Sequence, residues 1–495
     1  MLVTALLDAN RHAPATLAVD DGRLAVSYRQ LTRLASVLRG IVDRETGEPR
    51  VGIMLPAGAT FPATLFGALW ASRIAVPLNF LLSPEELHPI VEDAGIDIIV
   101  SIRHFADTTA QLPARTIFLD DLPLKRHMLG AIIRRTPAPP PAEPDDTAVL
   151  LYTSGTTGAP KGVQLTQRNL HSNAADTIHS LNITPGQRFL NILPPFHVYG
   201  LTGTVLVPVL LRASVFAMPR FKPMTVVNTV KTNAVSMMLA IPSMYAALLR
   251  TKSAAPDAFR SVGLAVSGGE PLPDTLRDGF QRRFGVTLHE GYGLTETSPI
   301  ISTCAVDAYR QGTVGRPIRN VEVRIATTTD THPRPTTDTA TPEGEILVRG
   351  PGVMKGYYNR PDDTARVIDA DGWFHTGDIG RVDADGFLSI VGRSKEMLIV
   401  GGENVYPREI EAVLERHPDV LQAAVIGAPD DRRGEVPVAF VLPRAGAGVT
   451  EPELRRCVKS TLAGFKVPRQ VYVRDELPTG PTGKILKRRL RDLLP

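Results

Sequence analysis

Cysteine is nearly missing: Cys304 and Cys457 are the only two in 495 residues, far apart and in no CxxC pattern. With HExxH absent as well, neither a disulfide framework nor a zinc site is expected, and the composition suits a reducing, cytoplasmic setting. Aromatic residues make up 6% of the chain and no dense Lys/Arg stripe is interleaved with them, so nucleic acid is set aside as a partner. Neither sign of charge dominates. A net charge of +4 and a pI near 9.0 favour polyanionic small molecules only slightly. The opening MLVTALLDANRHAP meets Asp8 and Arg11 too soon for a secretory signal. The uncharged run Gly52 to Ala71 contains Pro56 and Pro62, which divide it into a short strand, a loop and a helix instead of a membrane span. The common phosphate loop GxxxxGK[ST] is also absent.

What remains is a globular chain, 43% hydrophobic and 21% charged, long enough for two to four folding units. From residue 26 to about 130, apolar runs at Arg50 to Leu55, Ile74 to Pro77, Ile96 to Ile102 and Thr116 to Leu119 alternate with helical segments at Tyr28 to Arg44 and Ser83 to Ala94. That alternation predicts βαβ units and parallel sheet. A Pro-rich connector, Thr136 to Asp146, precedes the most informative stretch.

In Leu150 to Gly162, LLYTSGTTGAPKG, a β-prone run empties into small and hydroxylated residues that end at Lys161. Gly155 and Gly158 let backbone N–H groups converge, Thr153, Ser154, Thr156 and Thr157 add hydroxyls, and Lys161 adds a cation. Together they form a cradle for phosphate oxygens. Thr166 can cap a helix running to about Ser180. Downstream, FLNILPPFHVYG breaks at Pro194 and Pro195 into the aromatic group Phe196, His197 and Tyr199. The strand Gly263 to Ser267 opens into Gly268, Gly269, Glu270 and Pro271, where glycines after a strand allow close approach of a flat ligand. The strand Val286 to Glu290 ends in GYGLTET, so Tyr292 and Gly293, Thr295 and Glu296 offer a stacking face, a phosphate donor and a metal ligand within five residues. Thr327 to Thr341 reads as an exposed loop. Asp378, in DGWFHTGDIG, is expected in a Gly-bounded turn. After Gly392 to Lys395 the texture becomes compact α+β, ending in GPTGK, which presents Lys484, and a basic helix from Ile485 to Leu494.

In this order, YTSGTTGAPKG, LPPFHVYG, SGGEPL, GYGLTET, TGD, GRSKE, GGENVYP and PTGK resemble the adenylate-forming superfamily of acyl-CoA synthetases, nonribosomal peptide synthetase adenylation domains and luciferases. The resemblance covers nearly the whole chain and is strongest to bacterial fatty acyl-CoA synthetases. It implies an α/β fold: a large N-terminal domain, residues 1–392, of βαβ-type sheets with a β-barrel-like subdomain, then a small mobile α+β domain, 393–495, hinged near Lys395. It also implies ATP, Mg²⁺ and coenzyme A. A carboxylate would attack the α-phosphate of ATP to give acyl-AMP and pyrophosphate, and a thiol would then displace AMP. By the same resemblance Lys161 and the loop Thr153 to Gly158 hold the β- and γ-phosphates, Glu296 holds Mg²⁺, and Thr295 meets the α-phosphate. Tyr292 and Gly293, with Gly268 to Pro271 opposite, enclose adenine. Asp378, helped by Arg393, takes the ribose hydroxyls, and Lys484 bridges the two reacting anions. Lys395 sits at the hinge, and Gly401, Gly402 and Glu403 line the pantetheine path.

Members that activate amino acids carry an aspartate where this chain has His197, so an amino acid substrate is not expected. Phe196, His197 and Tyr199 suit an uncharged tail. A medium- or long-chain fatty acid is the first expectation and an aryl or arylpropenoic acid the alternative. CoA is the expected acceptor, because GRSKEMLIVGGENVYP runs without the insertion found in ligases that deliver to an acyl carrier protein.

Overall fold

The computed structural model describes residues 1–124, 138–139, 141–153, 160–305, 308–326, 342–430, 432–444, 446–479 and 485–494. Helix starts follow local chemistry. Ser27 closes a capping box with Gln30 at the head of Tyr28–Glu45, and Ser83 does the same with Glu86 for Pro84–Asp93. Thr166 caps Gln167–Ser180 through Asn169, as its sequence position predicts. The uncharged run resolves into strand Arg50–Met54 and helix Thr60–Trp70, whose residues from Phe61 onward are all buried. A helix apolar on every side must be surrounded by protein. Here Gly67 lets it close on its neighbour, since a β-carbon there would lie 2.9 Å from the Ala35 carbonyl. No helix among the described residues is long and apolar enough to cross a membrane.

Two large sheets carry the N-terminal part. One has seven strands in the order Gly356–Tyr357, Lys161–Thr166, Thr147–Thr153, Ile74–Pro77, Arg50–Met54, Ile98–Ser101 and Arg115–Phe118. Its last five strands run parallel, and its first two are added antiparallel. The other has nine strands, with Arg188–Asn191, Met237–Ala240, Leu264–Ser267 and Leu288–Gly293 parallel at its centre. A single apolar core joins both sheets through helices Leu2–His12, Tyr28–Glu45 and Thr60–Trp70. Burial of this extent, at about 25 cal/mol per Å² of apolar surface, is the main force holding the sheets in fixed relation.

A third sheet is antiparallel: Glu322–Ala326, Gly344–Arg349, Phe374–Val382 and Leu388–Arg393. It folds back on the nine-stranded sheet where Val314 N–H donates to the Leu388 carbonyl and Leu388 N–H to Gly315. Residues 398–473 have a core of their own around Ile410, Val425 and Val441. Its strands Val420–Asp430 and Gly434–Pro443 form a long hairpin flanked by Leu398–Val400 and Gln470–Val473.

Three expectations need correction. Asp378 lies within strand Phe374–Val382, directly opposite Arg393, and not in a turn: cross-strand pairing overrides the flanking glycines, and Gly377 at φ +70° is accommodated inside the strand. Tyr292 and Gly293 likewise belong to strand Leu288–Gly293, which continues because Ile300–Thr303 pairs with it. The basic terminal helix shrinks to the single turn Lys487–Leu490 followed by a 3₁₀ turn, Arg491–Leu493. Leu490 is the one buried residue of that turn, too little apolar surface to hold a longer helix, and Lys487 is tied back to Glu396 and Glu411. The segment 327–341, expected as a loop, lies outside the described residues.

Candidate active site

The hairpin of Thr147–Thr153 and Lys161–Thr166 sets Thr153 opposite Lys161. Ser154, Gly155, Thr156, Thr157 and Gly158, at its tip, lie outside the described residues. Lys161 Nζ is 3.0 Å from Asp363 Oδ2 and 5.1 Å above the ring of Tyr357. The Tyr357 hydroxyl donates to Glu296 Oε1 at 2.8 Å. Thr295 and Glu296 occupy a 3₁₀ turn, Thr295–Thr297, which begins two residues after the strand bearing Tyr292. Gly293 is obligatory before this turn, because a β-carbon would fall 1.9 Å from the Pro299 carbonyl oxygen.

Two asparagines unremarked in the sequence tie a neighbouring helix in, one to this turn and one to residues 351–353. From helix Gln167–Ser180, Asn173 Nδ2 donates to the carbonyls of Thr297 (3.1 Å) and Ile300 (2.8 Å), and its Oδ1 accepts from Ile300 N–H at 3.2 Å. One turn earlier, Asn169 Nδ2 donates to Pro351 and Val353 carbonyls, each at 2.8 Å. Buried asparagines spaced i, i+4 on a helix were the available signal, since buried amides need partners. Asn173→Ala should strand three backbone groups and destabilise the protein by about 3 kcal/mol, at roughly 1–3 kcal/mol per unsatisfied buried group with incomplete additivity. Thermal unfolding reads this directly; an unchanged melting temperature would show that the asparagine is dispensable.

Asp378 is 3% exposed and doubly held. Tyr292 donates to its Oδ2 at 2.6 Å, and Arg393 Nε lies 3.0 Å from its Oδ1. Burial first, then the neighbouring carboxylate, pushes the Tyr292 phenol pKa far above its ordinary value, so the hydroxyl stays a donor.

On the acid side, the break at Pro194 and Pro195 turns the chain so tightly that a β-carbon at Gly200 would fall 2.3 Å from the Pro194 carbonyl oxygen. Tyr199 crosses to the next strand, donates to the Val266 carbonyl at 3.2 Å, and lays its ring against Gly268, where an added β-carbon would sit 3.3 Å away. Gly268 therefore makes room for the Tyr199 ring. Gly269 adopts φ +81°, Glu270 is half-buried and Pro271 exposed. Phe196 is buried, with its ring centroid 4.7 Å from that of His197 and 4.8 Å from that of Phe80. The His197 ring is open to solvent yet crowded by protein, and this crowding lowers its pKa to about 4, leaving a neutral imidazole at physiological pH.

The structure thus brings Lys161 and Glu296 together through Tyr357, and Tyr292 and Arg393 together on Asp378, the two groups being joined along the chain from Tyr292 to Glu296, with Tyr199 against Gly268. Gly401 and Gly402, at φ +61° and +91°, are exposed, with open space where side chains would be, and Glu403 begins strand Glu403–Val405. Lys395 lies in the 3₁₀ turn Ser394–Glu396. Lys484 lies outside the described residues.

Among the described residues no three His, Cys, Asp or Glu side chains gather into a metal-binding group. A lone carboxylate such as Glu296 nonetheless fits Mg²⁺, a hard ion usually bound by one or two carboxylates together with phosphate oxygens.

Lys161 at the start of an antiparallel hairpin strand, Glu296 in the turn that follows the parallel strand Leu288–Gly293, and Asp378 paired within an antiparallel strand gather a cation and two carboxylates on neighbouring elements, the polar equipment of an enzyme site. Residues 7–358 match the AMP-binding enzyme family and residues 409–484 match the AMP-binding enzyme C-terminal domain. The chain is 37% identical to a feruloyl-CoA synthase from an Amycolatopsis species, covering 97% of this chain and 96% of that one. It is 34% identical to a long-chain-fatty-acid–CoA ligase from Escherichia coli O157:H7, covering 97% and 92%. Among solved structures it resembles o-succinylbenzoate coenzyme A synthetase (MenE) from Bacillus subtilis in complex with ATP and magnesium ion, at a TM-score of 0.84 and 30% identity over 99% of both chains. The chain belongs to the AMP-binding enzyme family and is an acid–thiol ligase of the AMP-forming acyl-CoA synthetase type.

Proposed function

We propose that this ligase activates an arylpropenoic acid as its acyl-AMP and transfers the acyl group to CoA. The neutral His197 between Phe196 and Tyr199 carries this reading. An imidazole with its pKa lowered to about 4 gives no counter-charge to a second carboxylate, and the Phe196 ring beside it, itself edge-on to Phe80, suits a flat ring. Tyr199, braced on Val266 and pressed to Gly268, closes the acid side at that point. The 37% identity to a feruloyl-CoA synthase supports the same choice. A medium- or long-chain fatty acid is the second reading, favoured by the 34% identity to a long-chain ligase.

A carboxylate is a poor electrophile because oxide leaves badly, whereas AMP leaves well. Two anions must meet in the first half-reaction, so the protein contributes neutralisation and positioning more than proton transfer. Lys161 and the loop from Thr153 to Gly158 hold the β- and γ-phosphates, and Thr295 meets the α-phosphate. Glu296 would hold Mg²⁺, which supplies charge neutralisation at the phosphates. Tyr292 and Gly293, with Gly268, Gly269, Glu270 and Pro271, border adenine; Asp378 and Arg393 bind ribose. Lys484 serves adenylation. Gly401, Gly402 and Glu403 serve thioester formation after the part beyond residue 392 turns about Lys395. CoA is the acceptor in this scheme, and the enzyme works in the cytoplasm.

A panel of ferulate, coumarate, octanoate and palmitate, assayed by pyrophosphate release with CoA present, should give the arylpropenoic acids at least a tenfold higher kcat/KM. A tenfold preference for palmitate would replace this reading by the second one. Acyl transfer to a carrier protein in preference to CoA would change the acceptor.

A further inference from the structure

The sequence motifs assign no task to residues 356–365, yet this segment supplies a partner to each of two charged groups at the phosphate end of the site. Its backbone is stitched to the strand that starts at Lys161. Tyr357 pairs with Val163, Tyr358 N–H donates to the Gly162 carbonyl at 2.7 Å, and Tyr357 N–H donates to Thr364 Oγ1 at 2.9 Å. The helical turn Pro361–Ala365 then brings Asp363 back toward the same strand. Tyr357 therefore cannot shift without moving the strand that carries Lys161.

The side chains converge as tightly. The Tyr357 hydroxyl holds Glu296 at 2.8 Å while its ring face lies 5.1 Å from Lys161 Nζ. A cation over an aromatic face is attracted to the ring quadrupole, and the attraction grows as water is removed. Asp363 meets the same ammonium at 3.0 Å, with side-chain exposures of only 18% for Lys161 and 20% for Asp363. The second oxygen of Asp363 takes Arg366, again at 3.0 Å. A triphosphate arriving at Lys161 would face the Asp363 carboxylate, which carries its own sign of charge. The ammonium must then leave one anion for the other, and Tyr357 touches both it and the metal-capable carboxylate throughout.

Resting on the roles given above to Lys161 and Glu296, we propose that Tyr357 is a positioning residue that orients Glu296 for Mg²⁺ and carries Lys161 on its ring, while Asp363 is the resting partner that Lys161 gives up when the triphosphate binds. The bland alternative is that Tyr357 only fills space, since it also packs against the main core. Tyr357→Phe separates the two, because it keeps the ring and removes only the hydrogen bond to Glu296.

The test is calorimetric titration of the full chain with no carboxylic acid present, so that nothing turns over. Three titrants are compared: ATP with Mg²⁺, ATP with EDTA, and AMP. Tyr357→Phe should weaken binding of ATP with Mg²⁺ by roughly tenfold, as befits one hydrogen bond to a charged group, and leave the other two within twofold. Asp363→Asn should tighten ATP by about threefold to tenfold with or without Mg²⁺ and leave AMP unchanged, since AMP lacks the phosphates that Lys161 meets. Tyr357→Phe matching the parent with all three titrants, or losing all three alike, would overturn the positioning role. Weaker ATP binding by Asp363→Asn would overturn the resting-partner role. A parent protein that bound no ATP would overturn the underlying assignment instead, and that failure is visible before any variant is compared.

Discussion

Lys484→Ala is expected to slow acyl-AMP formation by roughly 10²–10³, the usual loss when one donor to a developing charge is removed. Conversion of supplied acyl-AMP and CoA to the thioester should stay largely intact. The asymmetry follows from the two half-reactions. In the first, carboxylate and α-phosphate oxygens must be brought together against their repulsion, and a cation between them acts only there. In the second, AMP departs from an already formed mixed anhydride and a thiol attacks, so the same cation has no anion pair to bridge. The residues flanking the loop are well anchored. Thr479 pairs with Ile485, Leu486 N–H donates to the Pro478 carbonyl at 2.8 Å, and Lys487 lies 2.8 Å from buried Glu411. Substitution at Lys484 should therefore leave the small C-terminal core folded. Acyl-AMP formation followed by pyrophosphate release, alongside thioester formation from synthetic acyl-AMP, measures the two halves separately. Equal loss in both would refute a role confined to adenylation.

Asp378→Ala should weaken ATP, AMP and adenosine to a similar degree, on the order of 10²–10⁴-fold, because two hydroxyl bonds to a charged acceptor contribute about 1.5–3 kcal/mol each. Pyrophosphate binding should be untouched. The carboxylate takes Tyr292 on one oxygen and Arg393 on the other, and a carboxylate oxygen can accept more than one hydrogen bond. Removing it has unequal structural consequences. Arg393 is half-exposed and can be hydrated, whereas the buried Tyr292 hydroxyl loses its acceptor. A stability loss of about 1–3 kcal/mol is thus expected alongside the binding defect. Titration below the melting transition separates the two effects. A variant that lost ATP but kept adenosine would place the carboxylate away from the ribose.

The parts of the site differ in how visible they were. Lys161, Glu296 and Asp378 stand in short segments whose composition is hard to reconcile with core packing: small hydroxylated residues, paired glycines, an isolated carboxylate. Such segments can be recognised one at a time. Tyr357 and Asp363 stand in GYYNRPDD, an unremarkable strand and turn, and acquire a role only because that strand pairs with the one beginning at Lys161. Asn169 and Asn173 read as ordinary helix residues until the helix is placed against Pro351–Val353 and the Thr295–Thr297 turn. The error at Asp378 has the same origin. Flanking glycines argue locally for a turn, and a cross-strand ladder with Arg393 decides otherwise.

Chain order and local chemistry alone determined the alternation of strands and helices, the capped start at Thr166 and the composition of the loop before Lys161, because each depends on residues close together in sequence, while the class of reaction was implied by the resemblance of eight ordered motifs to a known superfamily. Tertiary structure alone decided that Tyr292 and Arg393 share one carboxylate, that one tyrosine touches both Lys161 and Glu296, and that protein packed about the His197 ring lowers its pKa. These depend on which strands become neighbours and how deeply a group is buried. Both are fixed by packing apolar surface across segments that lie tens to hundreds of residues apart.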